Sequence, residues 1–143
     1  MRTPQTIKHE FVEFIPRERQ EGVLYVSIPC ATAVHSCFCG CGQKVVTPLS
    51  PAHWQLTFDG ETISLWPSVG SWSYSCRSHY FIKRDEVVWA GDMPKDKIAS
   101  GRARDAAART AHFDEVVQPI TPPSVAPKRQ SRKKGFLNRI FGK

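Results

Sequence analysis

Residues 54–66 read Trp-Gln-Leu-Thr-Phe-Asp-Gly-Glu-Thr-Ile-Ser-Leu-Trp. Apolar side chains alternate with polar ones on both sides of the Asp-Gly pair, at Trp54, Leu56, Phe58, Ile63 and Leu65. A period of two is typical of strands with one buried face, and Asp-Gly between two such runs is a strong signal for a β-hairpin. The sequence therefore predicts two antiparallel strands joined at Asp59-Gly60.

Further short strands are predicted on both sides of this hairpin. They are rich in β-branched or aromatic residues and are bounded by Gly, Pro or Asp, which is typical of strands and turns. Their ranges are 11–15, 22–29, 31–38 and 44–47 before the hairpin, and 80–83 and 86–89 after it. No helical pattern precedes residue 94. The fold expected is a small, mainly β protein, an antiparallel β sandwich or half-barrel.

The last third of the chain has a different composition. Residues 95–117 begin with an Ala- and Arg-rich segment that predicts a short helix, with Gly101 as an interruption. Residues 118–127 contain four prolines and predict an extended linker. The expected organisation is thus a β domain over 1–94, this helix, the linker, and a tail over 128–143.

All of the net charge of +7 lies in that tail. Residues 128–143 carry seven Lys or Arg and no acid, whereas the preceding 127 residues carry 13 basic and 13 acidic ones. A folded body without net charge gives no support for nucleic-acid binding. One face of the tail is apolar, with Phe136, Leu137, Ile140 and Phe141, which favours docking to a protein partner. The alternatives are an anionic membrane surface, sequence-independent binding of nucleic acid, and a solvated, disordered tail without a partner.

The chain carries neither of the usual signals for leaving the cytoplasm. Its 143 residues contain no apolar run of the roughly 20 residues that span a bilayer, and the N-terminus lacks the apolar segment of a signal peptide. We therefore expect a cytoplasmic protein. In that compartment five cysteines, three of them within five residues, indicate metal binding or catalysis rather than disulfides.

Two cysteine- and histidine-containing segments are candidates for one metal site. His35-Ser-Cys37-Phe-Cys39-Gly-Cys41 is followed about 35 residues later by Cys76-Arg-Ser-His79. Thiolates and imidazole match zinc, whose shell is tetrahedral. The expected ligands are two or three of Cys37, Cys39 and Cys41 together with Cys76, and His79 is either the last ligand or a group beside the metal. The fold is accordingly expected to be zinc-stabilised.

Other interpretations of these residues remain open. His35 or His79 can instead be a structural imidazole in a β core. The H-x-C…C-x-x-H pattern also resembles a Rieske iron–sulfur site, although its first half is in reversed order and the chain has more thiols than such a site uses. Cys30 is expected to be a small buried hydrophobe. Ser78 is next to His79, but adjacent strand residues point to opposite faces, so no serine–histidine pair is predicted there.

The stretch from Phe11-Val-Glu-Phe-Ile-Pro, through the cysteine segment and Thr47-Pro-Leu-Ser-Pro, to Cys76-Arg-Ser-His-Tyr-Phe-Ile resembles a bacterial family. It is classified as a domain of unknown function. Its members are encoded beside ubiquitin-like proteins and E1-like, E2-like and JAB-type proteins in defence-associated operons. The resemblance covers residues 8–90. It implies a zinc-binding module and a peptidase that processes or removes the ubiquitin-like protein.

Two functions from different classes follow. The first is a zinc peptidase of a bacterial ubiquitination-like, anti-phage pathway, in which the metal activates water and His79 or His35 moves the proton. The second is a non-catalytic zinc module that docks the ubiquitin-like protein or its E1/E2 partners. A thiolate-rich shell blunts the Lewis acidity of zinc and favours the module. The resemblance favours the peptidase, which is the prediction adopted.

Overall fold

A computed structural model describes residues 5–116 as nine strands followed by one helix. The strands are β1 (Gln5–Thr6), β2 (Lys8–Phe11), β3 (Val23–Ser27), β4 (Thr32–Ser36), β5 (Lys44–Pro48), β6 (Gln55–Phe58), β7 (Ile63–Gly70), β8 (His79–Lys83) and β9 (Glu86–Trp89). The helix α1 spans Lys95–Val116. The predicted linker and basic tail lie outside the described residues.

The strands form two sheets. One has the order β1-β9-β8-β7-β6 and the other the order β2-β3-β4-β5. Every pairing is antiparallel except that of β2 with β3, which is parallel. The prediction of a mainly β fold with a C-terminal helix is confirmed.

A single apolar core lies between the sheets. Both contribute inward-facing side chains that are almost fully buried, because residues of one strand alternate between the two faces of its sheet. The core residues from the four-stranded sheet are Leu24, Val26, Ala33 and Val45, and those from the five-stranded sheet are Ile63, Leu65, Val69, Tyr80, Ile82 and Val87. This arrangement is a β sandwich.

One buried hydrogen bond joins the two sheets across this core. His35 of β4 and Tyr80 of β8 are both fully buried, and the His35 Nε2 atom lies 2.7 Å from the Tyr80 hydroxyl. Phe38 stacks on the His35 ring with centroids 4.4 Å apart. Burial lowers the pKa of His35 to about 3, so the ring is neutral at physiological pH.

Most predicted elements have close counterparts in the structure. The exceptions are the predicted strand 11–15 and the predicted interruption of the helix at Gly101. The hairpin at Asp59-Gly60 is present, and the Asp59 carboxylate closes its turn by accepting hydrogen bonds from the backbone and hydroxyl of Thr62. The predicted strand 11–15 is displaced, since β2 ends at Phe11 and Phe14 is 72% exposed. Helix α1 runs through Gly101 without a break and is 22 residues long.

Among residues 5–116, no helix is long and apolar enough to cross a membrane.

The Tyr80→Phe substitution tests the buried hydrogen bond. It leaves His35 without its partner in the core, so we expect the free energy of unfolding to fall by about 1–3 kcal/mol. Tyr74→Phe is the matched control, because the Tyr74 hydroxyl donates to the Lys44 carbonyl oxygen, 2.6 Å away, at an exposed position. Urea unfolding measures both. Equal losses for the two variants would contradict the structural role of the Tyr80 bond.

Candidate functional site

The site begins with an irregularity in β7. Leu65 pairs with Ile82 and Val69 pairs with Tyr80 on the neighbouring strand β8, so three residues, 66–68, oppose Phe81 alone. A bulge of this kind bends the strand and redirects side chains. Here it places Ser68 on the outer face of the sheet. His79, the first residue of β8, lies on the same face.

Ser68 and His79 form a hydrogen-bonded pair on this face. The Ser68 Oγ atom lies 2.9 Å from His79 Nε2, and His79 Nδ1 lies 2.9 Å from the carbonyl oxygen of Gly91. A carbonyl oxygen can only accept, so Nδ1 carries the proton and Nε2 is left to accept from the Ser68 hydroxyl. A serine, a histidine that accepts its proton and a third group that orients the histidine are the parts of an activated nucleophile.

Trp72 and the C-terminal helix α1 border the pair. The Trp72 ring lies 4.9 Å from the His79 ring, and both line a cavity of about 350 Å³ with Ser68 and with side chains of α1. Gly70 is required beneath Trp72, because a Cβ atom at position 70 would overlap the indole nitrogen. The cavity is in the size range of sites for small molecules and short peptide segments.

A second serine–histidine contact has a local explanation. Ser50 Oγ lies 2.6 Å from His53 Nδ1 and also accepts a hydrogen bond from the backbone of Ala52. Both contacts fall within one turn of four residues, 50–53, which is typical of serine side chains that stabilise turns. In the described residues no third group orients His53. We therefore regard Ser68 and His79 as the candidate catalytic pair.

The four cysteines of the predicted metal site come together in the structure. Three of them lie between β4 and β5, and Cys76 lies in the loop that joins β7 to β8. The sulfur atoms of Cys37, Cys39, Cys41 and Cys76 all lie within 4.8 Å of one another. Cys37 Sγ is 3.4 Å from Cys39 Sγ and 4.0 Å from Cys76 Sγ. Four thiols at this separation can hold a metal ion. Within the described part of the chain no histidine belongs to the group.

The thiols of this cluster do not ionise independently. Burial raises the pKa of Cys37. Burial also opposes ionisation of Cys39, but hydrogen bonds from Ser78, Cys41 and Cys37 outweigh it and lower the pKa of Cys39 to about 6. Of these two thiols, Cys39 therefore loses its proton more readily than Cys37.

The two histidines predicted as proton carriers have different surroundings. His79 lies outside the thiol cluster, with both ring nitrogens engaged by Ser68 and Gly91. His35 lies in the core, bonded to Tyr80 and covered by Phe38. Cys30 is exposed rather than buried, and it too lies outside the cluster.

Comparison with known families agrees with this geometry. Residues 11–90, more than half of the chain, match the family described as bacterial ubiquitination-like system serine protease (BubE). The chain belongs to the BubE family. The matched segment includes Ser68, His79 and all four clustered cysteines. No curated protein and no solved structure shows a significant match to the chain.

The BubE family assignment corrects the predicted mechanism. The prediction of a zinc-dependent peptidase is wrong, because the family is one of serine proteases. The thiol cluster already offers four donors, which fills a tetrahedral shell and leaves no position for a reactive water. Catalysis is instead expected from a serine hydroxyl.

Ser68 is the candidate functional residue that sequence reasoning misses. The sequence suggests only Ser78, adjacent to His79, as a partner, and alternation along a strand excludes it. The available signal is the short connection between two consecutive antiparallel strands. Because of such a connection, residues about ten positions apart in the sequence, such as Ser68 and His79, lie next to each other on the two strands. The contact between Ser68 and His79 also depends on the register shift in β7, and no periodic pattern in the sequence indicates that shift.

Gly70→Ala tests the contact between Trp72 and the backbone below it. The added methyl group overlaps the indole, so we expect Trp72 to be displaced from His79 and the protein to lose about 1–3 kcal/mol of stability. Tryptophan fluorescence and urea unfolding report the two effects. Gly91→Ala is the matched control, since a Cβ atom there meets nothing within 4 Å. Unchanged fluorescence in the first variant would contradict the placement of Trp72.

Proposed function

We propose that this protein is a serine peptidase in which Ser68 is the nucleophile and His79 the general base and acid. The single observation that carries the assignment is the 2.9 Å separation between Ser68 Oγ and His79 Nε2. The family supports it independently, since its members are described as serine proteases. In this proposal His79 carries the proton of a serine and not that of a metal-bound water.

The chemistry proceeds in two halves. Ser68 Oγ attacks the carbonyl carbon of the scissile bond while its proton passes to His79 Nε2, which forms a tetrahedral intermediate. Collapse of the intermediate breaks the carbon–nitrogen bond, and the leaving amine takes the proton from His79. A water molecule then attacks the acyl ester, gives a proton to the same nitrogen and releases the acid, and the proton returns to Ser68.

The Gly91 carbonyl has the orienting role in this scheme. It holds Nδ1–H at 2.9 Å and so keeps Nε2 directed at the serine. A carbonyl fixes the tautomer as a carboxylate does, but it offers less stabilisation to the imidazolium formed during catalysis. Among the described residues no carboxylate is hydrogen-bonded to His79. A dyad oriented by a backbone carbonyl is consistent with an enzyme of modest turnover.

We further propose that the substrate is a ubiquitin-like protein of the same ubiquitination-like system, from which the enzyme removes a C-terminal extension or a conjugated partner. The family description places its members in such a system. The dyad lies on an outer sheet face, and next to it Trp66 is 62% exposed. An extended segment of a protein substrate can reach such a face. Operon partners with E1-like and E2-like activity belong to this proposal.

The thiol cluster is proposed to hold a structural zinc ion. Zinc–sulfur bonds of about 2.3 Å place the four sulfur atoms of a tetrahedral site about 3.8 Å apart, and the observed separations of 3.4 and 4.0 Å bracket that value. Cys37 is buried beside the core and Cys76 lies in the loop before β8. The ion would tie that loop to the end of β4.

Ser68→Ala is expected to abolish cleavage. The substrate is the ubiquitin-like protein of the same system with a C-terminal extension, and mass spectrometry measures the product. Loss of the nucleophile should lower kcat by about a thousandfold or more. His79→Ala should have an effect of similar size, and the double variant should be no worse than either single one, because the two groups act as a unit.

Ser50→Ala supplies the matched control, since it removes the other serine hydroxyl that contacts a histidine. It should cleave at the wild-type rate. If Ser50→Ala is inactive and Ser68→Ala is active, the catalytic pair is Ser50 and His53. If wild type binds the ubiquitin-like protein but never cleaves it, the peptidase proposal is refuted.

Purified protein is expected to contain one zinc ion per chain by elemental analysis. Cys76→Ser should lower both the zinc content and the melting temperature, because metal binding of this kind contributes directly to folding. Cys30→Ser is the matched control, as Cys30 is exposed and outside the cluster. Full zinc content in Cys39→Ser, Cys41→Ser and Cys76→Ser variants would rule out the site.

A further inference from the structure

The helix α1 contributes little to the core for its length. Of its 22 residues only Ile98 is buried. It also lies beyond residues 11–90, which match the family. Burial of apolar surface therefore does not explain why the chain places a helix here, since this burial is the main source of helix stability in proteins.

The helix nevertheless forms one wall of the cavity at the catalytic pair. Its side chains Lys97, Ile98, Arg102, Arg104 and Asp105 line the cavity that Ser68 and His79 line from the sheet. Ile98 anchors this wall by its burial, and the Arg102 guanidinium donates a hydrogen bond to Ser73 Oγ at 3.2 Å. Ser73 directly follows Trp72, so the wall is attached to the loop that covers His79.

This wall carries an excess of positive charge. Three cations face one carboxylate, that of Asp105. Across residues 5–116 only His9 with Asp85 and Arg77 with Asp92 form ion pairs. Lys97, Arg102 and Arg104 thus have no carboxylate within 4 Å in this part of the chain. Unpaired cations in a cleft that is also lined by apolar side chains such as Trp54, Pro67 and Trp72 attract anions, because apolar walls focus the field.

We propose that Lys97, Arg102 and Arg104 form an anion-binding wall that receives a carboxylate of the substrate chain next to the scissile bond. The inference rests on the proposed function, since it assigns a specificity to the same site. The carboxylate has two possible sources, an Asp or Glu side chain near the bond and the free C-terminus of the segment removed. Arginine can bind a carboxylate from either source, because its planar guanidinium donates two parallel hydrogen bonds to the two carboxylate oxygens.

The experiment measures binding in the full-length Ser68→Ala protein, so that no peptide is consumed. Three N-acetylated pentapeptides of glycine and alanine are used. The first has glutamate at its fourth position and an amidated C-terminus, the second has glutamine there instead, and the third is the glutamine peptide with a free C-terminal carboxylate. The indole N–H resonances of Trp54 and Trp72, which line the cavity, report binding by NMR titration.

At least one carboxylate peptide is expected to bind with a Kd about tenfold lower than that of the amidated glutamine peptide. Preference for the first peptide identifies an internal acid, and preference for the third identifies the C-terminus. The difference should disappear when Arg102→Gln and Arg104→Gln are added. It should persist with Arg17→Gln and Arg84→Gln, which remove two exposed charges outside the cavity. Equal binding of all three peptides would overturn the inference.

A second measurement separates this inference from the proposed function. The Arg102→Gln/Arg104→Gln enzyme with Ser68 intact should cleave the ubiquitin-like substrate with a raised KM and an almost unchanged kcat, as expected when binding is lost equally in ground and transition states. Cleavage that needs Ser68 but is indifferent to the wall refutes only the wall. Selective carboxylate binding without any cleavage refutes only the peptidase.

Discussion

The hydrogen bond between His35 and Tyr80 is the constraint on which the rest of the structure depends. It joins the two sheets through the centre of the core, where both side chains are fully buried. Successive strand residues point to opposite faces, so a Tyr80 fixed inward holds its neighbour His79 outward. At the other end of the bond, β4 leads within two residues to Cys37. One buried contact thus aligns the sheet face that carries Ser68 and His79 with the thiol cluster.

The sheets could be predicted well from the sequence, because one buried face leaves a period of two in the residues. The hairpin at Asp59-Gly60 and the strand pair around Arg84-Asp85 are both where the pattern indicates. The parallel pairing of β2 with β3 could not be predicted, since it depends on which edge of the sheet the N-terminal segment reaches. Helix α1 passes Gly101 because a single glycine costs only about 1 kcal/mol in a helix.

The site could be predicted only in part, and for a chemical reason. Cysteines are rare, so four of them in two short segments indicate a cluster by their spacing alone, and the cluster is present. Serines are common, and nothing in the neighbourhood of Ser68 in the sequence distinguishes it. Its role depends on a register shift in β7 and on a carbonyl oxygen at Gly91, and neither has a signature in residue type. The rare residues therefore suggested a metal mechanism for a chain whose family uses serine.

The loop between β7 and β8 serves both the Ser68–His79 pair and the thiol cluster. Residues 71–78 place Trp72 beside His79 and bring Cys76 to the other cysteines, and the backbone N–H of Ser71 closes the loop by donating to the carbonyl oxygen of Ser78. An inserted or deleted residue here would misplace an aromatic ring and a sulfur atom together. The turn at 59–62 carries neither. Among homologous chains, changes of length should therefore accumulate in that turn and be rare in the loop.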